Sequence, residues 1–449
     1  MKTNALLAAS ILVACEPVGD AAGDAGEHAQ RDVHPFFLPT GEPDNTSAPT
    51  VVVDRDGATH AVYPAYAGGD AYYAYCGAGC AGTDDVEVVR LPTDTTVANA
   101  MIALHADGRP QVLLSTFASV IHATCTGDCT EASAWTTSEI LKHDNEREVT
   151  GEAFALDPAG HPRFLMHTYV AYLGIGQDTP ATWYVGCDDA CTDPASWNAV
   201  QISDQIWRSS QLEIDADGHA RVATVAMVAD PAGTVDMGAY AECLDDCDDP
   251  ASWHAQSIYP AFSSETDAVS IAPSIALATT ESGAPRIVLL GEDESGHRNL
   301  VYTSCDDDCA TAQWNGTILS DDDELGPGVD LALDADDHPR FVYTLDYNIA
   351  IASCDDEPCN AAEAEWTSDA VESGSEMKPD EIFLWENCNV GAWFLHSPSL
   401  ALTPGGAPRV GYQARDISGG WSNPDPTKPA CQAGTDMTWS RMATMPAMK

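Results

Sequence analysis

Basic residues are what this chain has least of. It carries 19 Lys and Arg against 70 Asp and Glu, a formal charge of −51 over 449 residues. A field of that sign repels nucleic acid and anionic membrane surfaces, and suits cations, basic partners or a salty medium. Long apolar runs are also missing, and no stretch is long and apolar enough for a transmembrane helix. There is no Gly-x-Ser-x-Gly elbow, no His-Glu-x-x-His and no phosphate loop, so no motif announces a serine hydrolase, a zinc protease or a nucleotide enzyme. A hydrophobic share of 44% with 11 Trp excludes a disordered acidic chain.

What the chain does have is a repeat. The stretch from Ser274 to Leu319 holds four short runs of alternating apolar residues, at Ser274–Ala278, Arg286–Leu290, Asn299–Ser304 and Trp314–Leu319. A turn at Gly283 separates the first two, and the third runs into Cys305-x3-Cys309. Seven copies align on that turn, at positions 57, 108, 160, 218, 283, 337 and 406, which lie 51 to 69 residues apart. Six of them are Gly and one is Asp337, the residue types that best tolerate a left-handed backbone. The third run ends in Cys in copies one to six. The fourth run is expected to start with Trp135, Trp197, Trp253, Trp314, Trp366 and Trp439 in copies two to seven. A Trp at one place per unit reads as a core residue between neighbouring units.

Four short strands per copy make one antiparallel sheet, which cannot bury both its faces alone; stacking like units around an axis can. Units of this size are propeller blades. The expected fold class is therefore all-β, a seven-bladed β-propeller of four-stranded antiparallel blades stapled by disulfides, with a β-sandwich array as the alternative. The repeats fall near 48–91, 100–141, 151–202, 209–258, 272–319, 328–371 and 397–441, inside a propeller domain at 47–449. Val33–Leu38 is a candidate extra strand for ring closure.

The 15 cysteines argue for an oxidising compartment. Twelve form pairs in equivalent loops: Cys76/Cys80, Cys125/Cys129, Cys187/Cys191, Cys243/Cys247, Cys305/Cys309 and Cys354/Cys359. Six local disulfides follow, with a seventh between Cys388 and Cys431 that would pin residues 372–396 to the last blade. A zinc site would need two converging pairs, and these pairs lie on different blades.

Acids fill the cysteine loops: Asp188, Asp189, Asp245, Asp246, Asp306, Asp307, Asp355 and Asp356. They are candidate ligands for a cation, calcium first, or for a basic protein partner; a solvated acidic loop is the plainer reading. Asp54–Gly57 and Asp215–Gly218 lack the further oxygen ligands of an EF-hand loop and read as turns. Trp385, Trp393 and Trp421 lie in irregular segments and are candidates for stacking on a sugar. Arg163, Arg221, Arg286, Arg340 and Arg409 recur once per blade, which makes them structural partners of the neighbouring acids.

Two resemblances add to this. Lys2, the apolar stretch Ala5–Ala14 and the sequence Leu12-Val13-Ala14-Cys15 resemble a bacterial lipoprotein signal. That resemblance implies removal of residues 1–14, a lipid on Cys15, a flexible tether over 15–46 and, with Glu16 rather than Asp next in line, an outer-membrane or cell-surface location. The repeat over roughly residues 47–441 resembles the sialidase-like propellers of bacterial surface proteins, although no copy contains their Ser-x-Asp-x-Gly-x-x-Trp box. No catalytic residue carries over. Since the repeat is regular and shows no once-only group of His, Arg and acids, the expectation is a non-catalytic surface scaffold for binding or adhesion. The alternative is a carbohydrate-active hydrolase or lyase on the propeller axis, marked by an axial pocket with two carboxylates.

Overall fold

The computed structural model describes residues 32–448 apart from several gaps, the longest at 143–149, 168–179, 378–392 and 417–437. Seven four-stranded antiparallel sheets form a propeller ring. Blades 1 to 6 span residues 50–91, 97–142, 150–203, 207–260, 275–320 and 325–373, each with its strands in chain order. A small two-stranded sheet, Glu265–Asp267 with Ser270–Ile271, lies between blades 4 and 5 in sequence. The first strand of each blade is innermost and touches the first strands of its neighbours, with blade 7 meeting blade 1.

Blade 5 shows why the alternating pattern builds a ring. Successive strand residues point to opposite faces. Ile287, Leu289 and Val301 pack with Ala223 and Val225 of blade 4. Their sequence neighbours Val288, Leu290 and Leu300 pack with Val329, Leu331 and Phe341 of blade 6. Both faces of the sheet are thus buried, which no isolated sheet achieves.

The turn between the first two strands has positive φ in all seven blades: 75° to 86° at the six glycines and 62° at Asp337. A carboxylate closes it where the first turn residue is Asp. Asp54 accepts from the Asp56 and Ala58 N–H groups, and Asp215 from those of Asp217 and His219. These strings are turns, as their spacing suggested.

Six disulfides join the expected pairs, one in each of blades 1 to 6. Cys76 is bonded to Cys80, Cys125 to Cys129 and Cys187 to Cys191. Cys243 is bonded to Cys247, Cys305 to Cys309 and Cys354 to Cys359. The seventh expected bridge falls on Cys388 and Cys431, which lie outside the described residues. Each loop from blade 2 to blade 6 is clamped by the Trp that follows it. Trp135, Trp197, Trp253, Trp314 and Trp366 donate their ring N–H to the carbonyls of Cys129, Cys191, Cys247, Cys309 and Cys359, at 2.9–3.1 Å. Their rings pack on the preceding blade, for example Trp253 on Tyr184 at 5.1 Å and Trp314 on Tyr240 at 5.0 Å between ring centres. Blade 1 has no such Trp, and the Cys80 N–H instead donates to the Gly77 carbonyl at 2.8 Å.

Ring closure corrects one expectation. Trp439 does not start a fourth strand; Thr438–Thr444 is the third strand of blade 7, and the fourth is His34–Phe37 from the start of the chain. The N-terminal strand closes the ring by pairing antiparallel with Thr438–Thr444, from His34 opposite Thr444 to Phe37 opposite Arg441. The seam is held by Arg441, fully buried, which donates to Glu372 and lies over the Phe37 ring at 4.1 Å.

Candidate functional site on the propeller axis

The innermost strands enclose an axial cavity of about 280 Å³, and all seven blades contribute to its lining. Several of these strands slip register near their starts: between Val97 and Asn99, Glu152 and Ala155, Arg208 and Gln211, Leu325 and Val329, and His396 and Ser399. Ala153, Ser209 and Ser397 adopt positive φ there, at 52–56°. Such bulges re-aim side chains next to sites, and here they line the cavity.

Three carboxylates reach it: Glu152 from blade 3, Glu213 from blade 4 and Asp330 from blade 6. Asp330 is fully engaged. It accepts from the N–H of Leu400 at 2.7 Å, of Leu331 at 2.9 Å and of the Gln211 side chain at 3.0 Å. Burial still holds its pKa above the ordinary range, against the pull of those hydrogen bonds. Glu213 is the opposite case. Burial, then the charge of Asp330, push its carboxyl up to about 7, and no hydrogen bond or ion pair reaches it among the described residues.

Glu152 is buried and also pushed up to about 7 by burial, against a Ser210 hydrogen bond and the charge of Arg208. It accepts from the Ser210 N–H at 3.2 Å, and His167 Nε2 stands 3.8 Å from its other oxygen. Arg208 pairs with Asp236 at 2.7 Å. Glu152, His167, Arg208 and Asp236 therefore form a once-only group of acid, His and Arg within blades 3 and 4.

The sequence reading missed these residues, yet the aligned repeat contains their signal. Two positions before the turn's first residue stand Ala155, Ala278, Ala332 and Ala401, but Glu213 in blade 4. Five positions before it stand Ala100, Ser210, Ile275, Val329 and Pro398, but Glu152 in blade 3. An acid that interrupts a column of small or apolar residues is not explained by the blade.

The residues singled out from sequence lie elsewhere. The paired cysteines, Cys80, Cys129, Cys191 and Cys359 among them, staple the blade loops, and none lines the axial cavity. Asp188, Asp306 and Asp355 pair with the once-per-blade Arg163, Arg286 and Arg340 at 2.5–2.9 Å. Asp189 accepts from the Ala190 N–H and Asp356 from that of Glu365, while Asp245, Asp246 and Asp307 are exposed. Two groups have a metal-like arrangement, Asp157 with His161 and Asp188, and Asp334 with Asp336 and His338. In each a guanidinium already occupies the carboxylate: Arg163 lies 2.8 Å from Asp157, and Arg340 lies 2.8 Å from Asp334. A cation would have to displace it. Trp393 is 2% exposed and packs in the core with Leu395 and Tyr412, so it offers no open face for stacking. Trp385, Trp421 and Cys15 lie outside the described residues.

No family model matches the chain, and no curated protein matches it. Solved structures do. Polysaccharide lyase Uly1 is similar with a TM-score of 0.52 at 8% identity, over 90% of each chain. A Penicillium chrysogenum α-L-arabinanase complexed with arabinobiose is similar at 10% identity and a TM-score of 0.44, over 71% of this chain and 93% of that one. The K499G mutant of NanB sialidase from Streptococcus pneumoniae is similar at 9% identity and a TM-score of 0.43, over 91% and 71%.

The expectation of a non-catalytic binding scaffold is thereby corrected. It rested on a regular repeat without a once-only group of His, Arg and acids, and blades 3 and 4 hold such a group, with Glu152 as its member on the cavity. The same ring architecture is also shared by a polysaccharide lyase, Uly1. A regular ring of blades is no argument against catalysis.

Proposed function

We propose that this protein is a carbohydrate-active enzyme, a hydrolase or lyase, that works in the axial cavity. One observation carries the reading: Glu152 and Glu213 open to the same cavity and are both held at about 7. Acid–base catalysis is most efficient when the catalytic pKa lies near the working pH. Glycoside cleavage asks for a pair of carboxyls, one protonated and one ionised. In hydrolysis the protonated member gives its hydrogen to the leaving glycosidic oxygen. The ionised member takes a hydrogen from the water whose oxygen bonds to the sugar carbon. The likeness to Uly1 supports the frame alone, and the reading rests on the cavity.

The test is a screen of the oxidised protein for turnover on a polysaccharide panel, read by reducing ends and by unsaturated products. Glu152→Gln and Glu213→Gln should each lower kcat by about 10²- to 10⁴-fold on any substrate found. Turnover that survives in both variants would end the assignment.

The location belongs to the same proposal. A lipid on Cys15 would tether the ring through residues 16–46 to the bacterial outer membrane or cell surface, where its polymeric substrate is met. The lipoprotein-like sequence Leu12–Cys15 and the six disulfides support this. Palmitate labelling of the wild type, lost in Cys15→Ser, is the expected result.

A further inference from the structure

The cavity is charged on one side only. Glu152, Glu213 and Asp330 line it, and no Lys, Arg or His does so among the described residues. The cations nearest in sequence are committed beside it, Arg208 to Asp236 and Arg221 to Asp215. A uronate or sulfate entering here would meet carboxylates with no cation among the described lining residues, Arg208 being already paired with Asp236, and like charges placed together cost several kcal/mol. Elimination from a uronic acid needs its carboxylate neutralised before the neighbouring C–H can be deprotonated. The chain's net charge of −51 adds to the same repulsion.

A second observation points to what would fit. Asp330 has donors on both oxygens, whereas Glu213 faces the cavity with none. A carboxylate removed from bulk water is normally satisfied by a partner. A ligand ammonium supplies three donors and the opposite charge. The volume of about 280 Å³ is at the low end for small-molecule sites, enough for a sugar unit rather than a long segment of chain. Asn99, Ser209, Ser210 and Ser399 offer neutral hydrogen-bonding groups for its hydroxyls.

We infer that the sugar unit taken by the axial cavity is an amino sugar with a free, protonated amine, held against Glu213, and that uronic-acid and sulfated glycans are excluded. This rests on the reading of the cavity as a glycan site and makes hydrolysis, not elimination, its chemistry.

The experiment is calorimetric titration of the full oxidised chain, at moderate salt, with four small ligands: a glucosamine disaccharide, its N-acetylated form, a glucuronate-containing disaccharide and spermidine. The glucosamine disaccharide should bind at least 10-fold tighter than the other three. Glu213→Gln, checked for an unchanged fold by circular dichroism, should abolish that preference. Saturation-transfer NMR on the wild type gives a second readout, with the strongest contact expected at the carbon bearing the amine. Equal binding of the acetylated form, tighter binding of the glucuronate, equal binding of spermidine, no binding at all, or a preference that survives in Glu213→Gln would each overturn the inference. Glu213-dependent turnover of a neutral or uronate glycan would end the inference and keep the proposed function. Amino-sugar binding without turnover of any glycan would do the reverse.

Discussion

Gln211 of blade 4 donates its side-chain N–H to Asp330 of blade 6 at 3.0 Å, passing over blade 5. Its carbonyl accepts from the Leu277 N–H of blade 5 at 2.8 Å, and Asp330 accepts from the Leu400 N–H of blade 7 at 2.7 Å. Two side chains thus tie four consecutive blades at the axis. Asp330→Ala leaves the N–H groups of Leu331 and Leu400 and the Gln211 amide without an acceptor. The expected loss is about 3 kcal/mol, since buried donors left unmatched keep their full desolvation cost. Asp330→Asn keeps one acceptor oxygen and should lose less. Urea unfolding measures both, and a loss below about 1 kcal/mol for the alanine variant would show that the tie is not structural.

Glu213 should make stability fall as pH rises. Held at about 7 against an ordinary 4.5, its carboxyl binds a proton more tightly in the folded chain than in the unfolded one. The penalty is absent below pH 4.5, grows between 4.5 and 7, and is complete above 7. Glu213→Gln should therefore stabilise the protein by about 3 kcal/mol at pH 8 and leave it nearly unchanged at pH 4.5. Urea midpoints of variant and wild type at the two pH values give the difference directly. Taking that difference cancels the opposing effect of His396, which burial holds at about 3 and which costs stability as pH falls below 6.5.

The once-per-blade arginines should differ in importance according to their partners. Arg340 is 4% exposed, bonds Asp334 and Asp355 at 2.8 and 2.5 Å, and also donates to the carbonyl of Cys354 at 2.9 Å. Arg286 pairs with the exposed Asp306, and its bond to the Cys305 carbonyl is longer, 3.4 Å; its turn opens with Thr280 in place of Asp. Arg340→Met should cost about 3 kcal/mol, as for a buried pair broken on one side. Arg286→Met should cost about 1 kcal/mol or less. Equal losses in thermal unfolding would mean that burial is not what separates them.

These contrasts show which features the sequence displays. Positive φ at Gly57 or Asp337 is legible because the backbone demand acts on one residue. The cysteine pairs are legible because their partners are four residues apart, as in Cys76 and Cys80, or five, as in Cys354 and Cys359. The closing strand was open to view only as a candidate, since His34–Phe37 pairs with residues some 400 positions later. The site was hidden for two reasons. Glu152 and Glu213 stand among 70 acids, and only alignment of the copies sets them apart. Their environment, the axis, is made by seven strands that no local pattern brings together. The acids in the cysteine loops drew attention because they cluster in sequence, yet Asp188, Asp306 and Asp355 answer the arginines of their own blades.

The Trp should matter more than the disulfide it clamps. Cys243 and Cys247 close a loop of separation four, and so short a loop restricts the unfolded chain by little, on the order of 2 kcal/mol. Trp253 does three things at the same place. It is 8% exposed, donates to the Cys247 carbonyl at 3.0 Å and packs on Tyr184 of the preceding blade. Trp253→Ala opens a cavity between two blades and should cost about 3–5 kcal/mol. Trp253→Phe keeps most of the area, loses the hydrogen bond and should cost about 1–2 kcal/mol. Replacing both cysteines by Ser should cost no more than the phenylalanine variant, because the Trp still holds the loop carbonyl. The combined Cys243→Ser, Cys247→Ser, Trp253→Phe variant should lose more than the sum of its parts, since either clamp alone orders the loop. Calorimetric unfolding of the four variants measures the order. A disulfide loss that exceeds the Trp253→Ala loss would place the stability of the blade contact in the covalent staple rather than in the packed ring.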